Sequence, residues 1–411
     1  IILQIPTEVG RGNHTGGSLI FGPEGNLWIS TGDTTNPHAS DGFSPHDDRS
    51  GHEMSDASRS AGNTMDLRGK ILRIKMEEDG AYSIPEGNLF GASDNGRPEI
   101  FVMGLRNPFR FSVDQRSGTL YWGEVGPDSR DYSDSRGPWG YDEFNRTDQA
   151  GNYGWPFVIG NNEPYAYYDF ATEQAGEFVN PAAPENRSAN NTGARVLPPA
   201  QPAWMPYPYT LDERFIELGD GGRSAMAGPV YYSDDYPANP VKLPPYYDGK
   251  LFIYEWVRHW VQAVQMDASG VVKKIEPVLD IGLYSAPIDL KFAPDGSLYI
   301  LEYGSAWFAP NDDAYLSRIE YYGDDNPPPL VKIGSDQRVG PAPLTVALRG
   351  SDSFDRNGVF EELKFSWDRI ENGQVVEHIG DTADVEYVAA DPGDYKIRLT
   401  VTDADGVSSE D

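Results

Sequence analysis

A short turn-and-strand pattern recurs four times along the chain and limits the fold more than any other sequence feature. Each copy has an acidic residue or serine, a glycine, one further residue, a leucine and an aromatic residue, in that order. The copies are PEGNLWIS (23–30), RSGTLYWG (116–123), YDGKLFIY (247–254) and PDGSLYIL (294–301). Glycine supplies the positive φ of a hairpin turn, and the run that follows alternates as a half-buried strand does. Each copy therefore predicts a turn that leads into a β-strand.

Alternating runs also precede three of these copies, namely GSLIFGP, PFRFSVD and PIDLKFAP. A succession of strands joined by short turns is typical of a propeller blade. No stretch of ten or more residues shows the 3.6-residue period of a helix. We therefore predict an all-β chain with a β-propeller over residues 1–326. Four blade signatures are few for a closed ring, so we expect an upstream segment or chain before Ile1 to complete it.

The composition changes near residues 322–329, where YGDDNPPP predicts a stiff linker because consecutive prolines favour an extended backbone. Beyond it, the segments LTVALRGSDSFDRNG, LKFSWDRI and DPGDYKIRLTVTDADG contain short alternating strands separated by Asp-Gly turns. This spacing is typical of a β-sandwich. We predict such a domain over residues 327–411, with Trp367 as the anchor of its core.

The overall charge excludes several classes of partner. The chain has 33 basic and 64 acidic residues, a net charge of −31, which repels nucleic acids and anionic membranes but attracts cations such as Ca²⁺. The absence of cysteine excludes disulfides, thiolate nucleophiles and iron–sulfur clusters. No run approaches the roughly 20 apolar residues of a membrane span. The chain opens as IILQIPTEV without Met or a signal peptide, so we expect a processed or truncated N-terminus.

Two long polar segments interrupt the strand pattern. Residues 34–66 contain His38, His46 and His52 among many aspartates and serines. This composition predicts a solvated loop, with a transition-metal site as the alternative. Residues 160–225 are rich in proline, tyrosine, asparagine and glycine, and their aromatic rings could either stack on a sugar or pack over the propeller rim. Segments of this length commonly form functional lids or rim loops.

Six segments occur in the order seen in one enzyme family: GNHTGGSLIFGPEGNLWISTGD, LRGKILRI, GLRNPFRFSVD, GEVGPD, YDEFN and AGNYGWP. Over residues 11–322 the chain resembles the glucose/sorbosone dehydrogenase family. The resemblance implies a six-bladed propeller that oxidises a sugar with pyrroloquinoline quinone (PQQ) and Ca²⁺, and passes electrons to an external quinone or cytochrome. SDSFDRNG and DPGDYKIRLTVTDADG resemble a PKD domain, an immunoglobulin-like module of bacterial surface and secreted enzymes. Together they imply a secreted, periplasmic or cell-surface protein.

His14 is the catalytic residue that the resemblance implies, because it matches the family's general base. Oxidation of a sugar requires removal of its hydroxyl proton, and a neutral imidazole near pH 7 can accept that proton. Asp33 lies one strand out and one strand back from His14, so it could orient the imidazole and stabilise its charge. The alternative is a loop histidine, with Asp33 capping a turn.

The resemblance also implies ligands for the cofactor and for calcium. Arg106 and Asn107 in GLRNPF match positions that contact the quinone. Gly126 and Pro127 in GEVGPD match the backbone carbonyl ligands of the catalytic calcium ion, which would polarise the quinone.

A second, structural calcium ion is implied by Glu143 in YDEFN and Tyr153 in AGNYGWP.

The chain departs from the family at the basic residues that hold the cofactor carboxylates, which we call the cofactor clamp. Arg258 in YEWVRHWVQAV stands where the PQQ enzymes have a lysine that pairs with the cofactor carboxylates. Residues 285–288 (SAPI) occupy the region where those enzymes place clamp arginines, and Arg223 in GGRSAM is a candidate replacement.

Two functions remain open from the sequence. The first is an exported PQQ-dependent sugar dehydrogenase. The second is a catalytically inactive, calcium-stabilised propeller that acts as a carbohydrate-binding or structural module at the cell surface. The retained His14, Asp33, Arg106 and Asn107 favour the enzyme, whereas the missing clamp arginines favour the binding module.

Overall fold

The computed structural model describes residues 2–7, 14–239, 241–279, 284–307, 309–323, 326–355 and 363–411. The chain divides into two compact units, Ile1–Glu320 and Tyr321–Asp411. Strands dominate both units, and the described helices are single 3₁₀ turns at Pro23–Gly25, Glu53–Ser55, Ala57–Arg59, Ile216–Leu218, Ser233–Asp235 and Pro245–Tyr247. None of these described helices has the length and apolar character needed to cross a bilayer. The prediction of an all-β chain is confirmed.

Four sheets, called sheets I to IV here, form most of the first unit. Sheet I contains β1 (Gly16–Phe21), β2 (Asn26–Thr31), β3 (Lys70–Met76), β4 (Tyr82–Ser83), β5 (Ile100–Met103) and β9 (Gly151–Asn152). Sheet II contains β6 (Phe111–Val113), β7 (Leu120–Glu124), β8 (Asp142–Thr147) and β14 (Met205–Tyr207). Sheet III contains β15 (Ala225–Val230), β16 (Leu251–Glu255), β17 (Trp260–Met266) and β18 (Val272–Pro277). Sheet IV contains β19 (Pro287–Phe292), β20 (Leu298–Glu302) and β21 (Tyr315–Ile319).

Each copy of the repeated pattern leads into one strand of a different sheet, namely β2, β7, β16 and β20. The preceding strand of the sheet, β1, β6, β15 or β19, pairs with it in antiparallel register. The strand orders are β1-β2-β3-β5-β9 with β4 beside β3, β14-β8-β7-β6, β15-β16-β17-β18 and β19-β20-β21. We call the strand that carries the repeated pattern the pattern strand. In each of the four sheets the first strand therefore begins at the edge where the pattern strand ends.

The side chains of β16 show how the sheets stack. Leu251 and Ile253 are buried in a cluster with residues of sheet II, whereas Phe252 and Tyr254 are buried in a cluster with residues of sheet IV. Alternate residues of a strand point to opposite faces, so sheet III is covered on both faces by its neighbours. Sheets I and II share a third cluster. This face-to-face stacking is what propeller blades require, while the six-bladed ring and the upstream blades stay predictions.

The polar segment 34–66 is not the solvated loop that its composition predicts, because nearly all residues from 55 to 64 are buried. The Nζ of Lys70 donates to two of the segment's carbonyl groups. The Nδ2 of Asn186 donates to two others. Buried backbone groups must find hydrogen-bond partners, and here distant side chains supply them, which the local composition does not reveal.

The second insertion, 160–225, packs against the same segment. Short strands form two hairpins at its start: β10 (Val158–Ile159) with β11 (Glu163–Pro164), and β12 (Ala166–Asp169) with β13 (Gln174–Phe178). Tyr165 and Tyr207 are buried, and the ring of Tyr207 stacks on Phe144 with centroids 5.6 Å apart. For these aromatic residues, packing is the role that the structure supports.

The second unit consists of two antiparallel sheets around one core. One contains β22 (Gly334–Ser335), β23 (Leu344–Arg349) and β26 (Asp384–Ala389); the other contains β24 (Lys364–Glu371), β25 (Gln374–Gly380), β27 (Lys396–Thr402) and β28 (Ser408–Glu410). Both contribute to a cluster around the fully buried Trp367, whose Nε1 donates to the Thr382 carbonyl at 3.0 Å. A sandwich with this anchor is as predicted. The PKD assignment stays a prediction, and residues 324–325 of the linker and the end of SDSFDRNG lie outside the described residues.

Candidate functional site

A cavity of about 490 Å³ lies at the edge where the first strands of the sheets begin and the pattern strands end. Residues before β1, before β6, after β7, before β15, after β16 and after β20 contribute to its wall. Three of the residues predicted from the sequence, His14, Arg106 and Asn107, line it. A fourth, Asp33, lies directly behind His14.

The Nδ1 atom of His14 lies 3.7 Å from Oδ1 of Asp33. This separation is longer than a hydrogen bond but within ion-pair range, and the Asp33 side chain is completely buried. Because Nδ1 faces a carboxylate, the tautomer with the proton on Nδ1 is favoured, and Nε2 is left as the basic nitrogen. Such separations in ligand-free enzymes often shorten when substrate binds.

Asp33 is held by partners distant in sequence. Its Oδ2 accepts the indole Nε1–H of Trp155 at 2.8 Å, and its Oδ1 accepts the backbone N–H of Thr35 at 2.8 Å. Its own N–H donates to the carbonyl of Arg106 at 2.8 Å. Sequence reasoning missed Trp155 as a site residue, although it stands in the AGNYGWP segment. The carboxylate is thus oriented before any ligand arrives.

Burial lowers the pKa of His14 below its usual value of 6.5, and the positive charge of Arg106 lowers it further, while Asp33 partly opposes both effects. The imidazole is therefore neutral at pH 7. The backbone of His14 is left-handed, with φ of 50°, and its carbonyl accepts the N–H of Thr34 at 3.0 Å. A non-glycine residue in this region is strained, and such residues are common at functional sites.

The Arg106–Asn107 pair is held by a buried acid. Both backbone N–H groups donate to Oε1 of Glu124, at 2.7 and 2.6 Å. Burial raises the pKa of Glu124 well above its usual range. Nη1 of Arg106 donates to the Val125 carbonyl at 2.9 Å, and Oδ1 of Asn107 accepts the N–H of Gly16 at 3.0 Å. These contacts tie the start of β1 to the loop that precedes β6.

The pattern strand of three sheets ends in a buried glutamate, a feature that sequence reasoning missed. Glu124, Glu255 and Glu302 end β7, β16 and β20, and each is at most 5 % exposed. Each accepts backbone N–H groups of neighbouring loops. The signal was present in LYWGE, LFIYE and LYILE, where glutamate follows leucine by four residues. Asp33, just after β2, has the same function in sheet I.

Aromatic side chains form one wall of the cavity. The rings of Trp256 and Trp307 have centroids 4.5 Å apart, and Tyr303 meets Trp256 edge-on at 5.4 Å. Ile288 lines the cavity as well. In the region where the resemblance implies clamp arginines, the wall is therefore apolar.

Arg258 does not join this cavity, contrary to its predicted role in cofactor binding. Its guanidinium donates to the backbone carbonyls of Leu218, Gly219, Gly222 and Pro208, each at 2.8 Å. All three nitrogen atoms of the guanidinium thus donate to backbone carbonyls of the protein itself. The sequence could not reveal this, because the carbonyl groups belong to the insertion that precedes β15.

Gly126 and Pro127 do not fit the calcium ion predicted for them. The Pro127 carbonyl already accepts Nη2 of Arg223 at 2.7 Å. Calcium requires about six to eight oxygen ligands, and a dication on this carbonyl would lie next to the guanidinium charge, which repels it. The N–H of Gly126 donates to Oδ1 of Asp142 at 3.1 Å, so that carboxylate oxygen is also engaged.

Glu143, predicted with Tyr153 to hold a second calcium ion, has both carboxyl oxygens engaged within the protein. Both carboxylate oxygens of Glu143 accept N–H groups, from Gly160 at 2.7 Å and Asn145 at 2.9 Å. Burial raises the pKa of Glu143 to about 7. The hydroxyl of Tyr153 donates to the Arg146 carbonyl at 3.3 Å, whereas the atom predicted to bind calcium is the backbone carbonyl of Tyr153, and that role stays a prediction. Within the described part of the chain, no three His, Asp or Glu side chains gather as metal ligands would, in residues 34–66 or elsewhere.

Residues 1–197 match the family model described as glucose/sorbosone dehydrogenase. The chain is 33 % identical to the HIPL2 protein of Arabidopsis thaliana over 168 residues, which are 36 % of this chain and 20 % of that protein. It is 28 % identical to quinoprotein glucose dehydrogenase B of Acinetobacter calcoaceticus over 199 residues, 46 % of this chain and 37 % of that protein.

A solved structure, the PQQ-bound aldose sugar dehydrogenase of Streptomyces coelicolor, aligns with 77 % of this chain and 64 % of its own, at 18 % identity and a TM-score of 0.43. The chain spans only 20 % and 37 % of the length of the two curated relatives named above. Residues 1–197 are thus similar to the glucose/sorbosone dehydrogenases, and quinoprotein glucose dehydrogenase B is among the proteins to which the chain is similar.

Proposed function

We propose that this chain is a quinoprotein sugar dehydrogenase that oxidises the CH–OH group of an aldose or related sugar. One observation carries the proposal: His14, the buried Asp33 and the Arg106–Asn107 pair converge on a single aromatic-walled cavity. Cavities of roughly 300–1,000 Å³ with few convergent polar groups are the usual form of small-molecule sites. The similarity of residues 1–197 to glucose/sorbosone dehydrogenases supports the same reaction class.

The cavity residues suit PQQ, a flat quinone that bears three carboxylates. Arg106 and Arg223 place two positive charges at the cavity wall, and these charges attract carboxylates. Trp256 and Tyr303 offer flat apolar surfaces beside a planar ring. When bound, PQQ would supply the acceptor for the hydride, two electrons and one proton, that leaves the sugar carbon.

His14 would take the proton of the sugar hydroxyl on Nε2. Its lowered pKa keeps the imidazole neutral at pH 7, the form that can accept a proton. Asp33 would then stabilise the imidazolium that forms, since its carboxylate lies 3.7 Å from Nδ1. Trp155 and Thr35 keep the carboxylate in place through their hydrogen bonds.

We also infer an external electron acceptor, a quinone or a cytochrome, and an exported location, in the periplasm, at the cell surface or in the medium. Both follow from the resemblance to exported sugar dehydrogenases. Fractionation of the native organism, with cytoplasmic and periplasmic marker enzymes, tests the location. Recovery of the chain with the cytoplasmic markers would overturn it.

A second function, a catalytically inactive carbohydrate-binding propeller, is favoured by one observation. Arg258 is turned into the protein and Ile288 lines the cavity, so two positions of the expected cofactor clamp contribute no charge there. The two functions differ in whether quinone binds and whether sugar is oxidised.

The deciding experiment supplies the purified chain with PQQ and follows dye reduction with a panel of aldoses, in parallel with the absorbance of bound quinone. We expect His14→Gln to lower kcat by about 10²–10⁴-fold, the usual contribution of a general base, without changing quinone affinity. His38→Gln is the matched control, because His38 lines the same cavity but is exposed.

The acidic limb of the rate profile provides an independent check. Because the pKa of His14 is lowered, the fall of kcat/KM on acidification should be centred at a more acidic pH than that of an ordinary histidine. Failure to bind quinone at micromolar concentration, or turnover that survives in His14→Gln, would contradict the enzyme and favour the binding module.

A further inference from the structure

A second cavity, of about 470 Å³, lies beside the β12–β13 hairpin, and we call it the hairpin cavity. Residues of three stretches line it: 46–49, 167–176 and 187–188. Among the described residues, none lines both this cavity and the one that contains His14, called the His14 cavity below. The volume falls within the range of roughly 300–1,000 Å³ that is usual for small-molecule sites. The proposed reaction gives the hairpin cavity no role.

Hydrogen bonds between the three stretches hold the walls of the hairpin cavity together. Nε2 of His46 accepts the backbone N–H of Tyr168 at 2.7 Å, and Oδ2 of Asp48 accepts the N–H of Ala189 at 2.8 Å. These two bonds join residues 122 and 141 positions apart in the chain. The cavity is therefore formed by tertiary contacts before any ligand binds, as small-molecule sites usually are.

The hairpin cavity offers apolar surface together with hydrogen-bonding atoms. Three half-buried aromatic side chains line it, namely Tyr167, Tyr168 and Phe170. Oδ1 of Asp48 and Oδ2 of Asp169 accept no hydrogen bond from the part of the chain that the structure describes. The exposed side chain of Gln174 adds an amide. Acceptors, a donor and flat apolar rings are thus all within reach of one ligand.

The charges around the hairpin cavity favour a neutral ligand. Arg49 donates twice to Asp47, each time at 2.7 Å, and Arg187 forms ion pairs with Glu177 and Glu185. Both guanidinium groups are thus paired, which leaves no uncompensated positive charge for an anion. No three His, Asp or Glu side chains of the described residues are arranged to hold a metal ion. A sugar is neutral, and each of its hydroxyl groups both donates and accepts.

We propose that the hairpin cavity is a saccharide-binding site, separate from the His14 cavity, that holds a neutral glycosyl unit without oxidising it. Hydroxyl groups of the sugar bond to Asp48, Asp169 and Gln174, and a C–H face of its ring packs against Phe170. A glycan held here leaves the His14 cavity open. This inference goes beyond the proposed function and does not depend on it, because the two cavities share no described lining residue.

The test uses the full chain and the methyl glycosides of glucose, galactose, mannose, xylose and N-acetylglucosamine. These probes lack the anomeric hydroxyl group that aldose oxidation requires, so binding is measured without turnover. NMR titration with each probe up to about 10 mM detects dissociation constants of about 1 mM. We expect at least one of the glycosides to bind.

Hydrogen exchange of the unmodified chain, followed by mass spectrometry, then locates the bound glycoside. Binding should slow exchange in peptides that contain residues 46–49 and 167–176, and leave peptides around His14 and Arg106 unchanged. This measurement needs no variant, so it decides the position of the site even where a substitution disturbs folding.

Two substitutions of exposed residues test the contacts. Asp169→Asn keeps an oxygen for the N–H groups of Ala171 and Thr172 but replaces the other oxygen by an amide group. It should weaken binding about tenfold, because a bond to a charged acceptor is lost. Gln174→Ala should weaken binding about threefold or more. Glu173→Gln is the matched control, since it removes a charge from the same turn but does not line the cavity, and it should leave the affinity unchanged.

The outcomes separate this inference from the proposed function. Protection of residues 167–176 by a glycoside, in a chain that does not bind PQQ, would leave the saccharide site standing and refute the quinoprotein. Dye reduction with an aldose, in a chain that binds none of the five glycosides, would overturn the saccharide site and leave the quinoprotein standing. Protection confined to the His14 cavity, or an affinity unchanged in both Asp169→Asn and Gln174→Ala, would also overturn the saccharide site.

Discussion

Gly32→Ala should disable the site through the backbone of His14 while leaving the local strand pairing intact. A Cβ added at Gly32 would lie 1.9 Å from the carbonyl oxygen of His14, 2.4 Å from its carbonyl carbon and 3.0 Å from Oδ1 of Asn107. The φ of Gly32 is not in the left-handed region, so alanine is forbidden there only by this close approach. The substitution therefore tests the position of His14 rather than the flexibility of glycine.

The size of the effect follows from these distances. Cβ atoms essentially never come closer than 3.0 Å to another heavy atom, so the His14 carbonyl must move by about 1 Å or more, and its hydrogen bond from the N–H of Thr34 must weaken or break. Overpacking of this kind costs roughly 1–3 kcal/mol. A displacement of about 1 Å at a catalytic group can lower the rate by about 100-fold.

The assay pairs urea denaturation with PQQ-dependent dye reduction, and Gly25→Ala is the matched control. Gly25 lies in the turn of the same hairpin, with φ of 73° and no atom within 4 Å of an added Cβ. Its replacement should cost about 1–2 kcal/mol for the left-handed backbone without lowering kcat. Equal rates in the two variants at similar stability would refute the assignment of His14 as the base.

Three further predictions concern residues that do not line the His14 cavity. Acidification should destabilise the fold through His46, because desolvation lowers its pKa from 6.5 to about 4. The unfolded chain then binds the extra proton between pH 6.5 and 4, and the free energy of unfolding should fall by up to about 3 kcal/mol over that window. Urea curves at several pH values check this, and His46→Gln should flatten the dependence. Trp155→Phe removes the indole donor to Asp33 and should cost about 1.5–3 kcal/mol of stability; an unchanged urea midpoint would contradict that bond. Arg258→Met should lower the melting temperature because it leaves buried carbonyls without their hydrogen-bond donor. The affinity for PQQ should stay the same. A large loss of affinity would show that Arg258 does contact the cofactor.

The strand pairs of both units could be predicted from the sequence because their determinants are local. A glycine at the turn and alternation after it act within about eight residues, and each of the four copies lies on a strand of its own sheet. The burial of Trp367 could also be predicted from the sequence, since a tryptophan on an alternating strand of a small sandwich must be covered by the opposite sheet.

Part of the site could also be predicted, and the rest could not. His14 and Asp33 flank one pair of strands, so their proximity follows from antiparallel pairing. The bond from Trp155 to Asp33 spans 122 residues, and that from Arg223 to Pro127 spans 96. No local pattern carries such contacts. The polar composition of residues 34–66 predicts a solvated loop, but the segment is largely buried. This burial is possible because side chains from other parts of the chain donate to its backbone carbonyls.

The order of turns and strands, the exclusion of thiol chemistry, and the pairing of His14 with Asp33 were thus set by the sequence alone. Tertiary structure decided which charges face the cavity: it turned Arg258 inward onto backbone carbonyls and placed Arg223 on the carbonyl expected to hold calcium. The physical reason is that a guanidinium binds whichever acceptors the folded chain brings within reach, and those acceptors come from loops far apart in sequence.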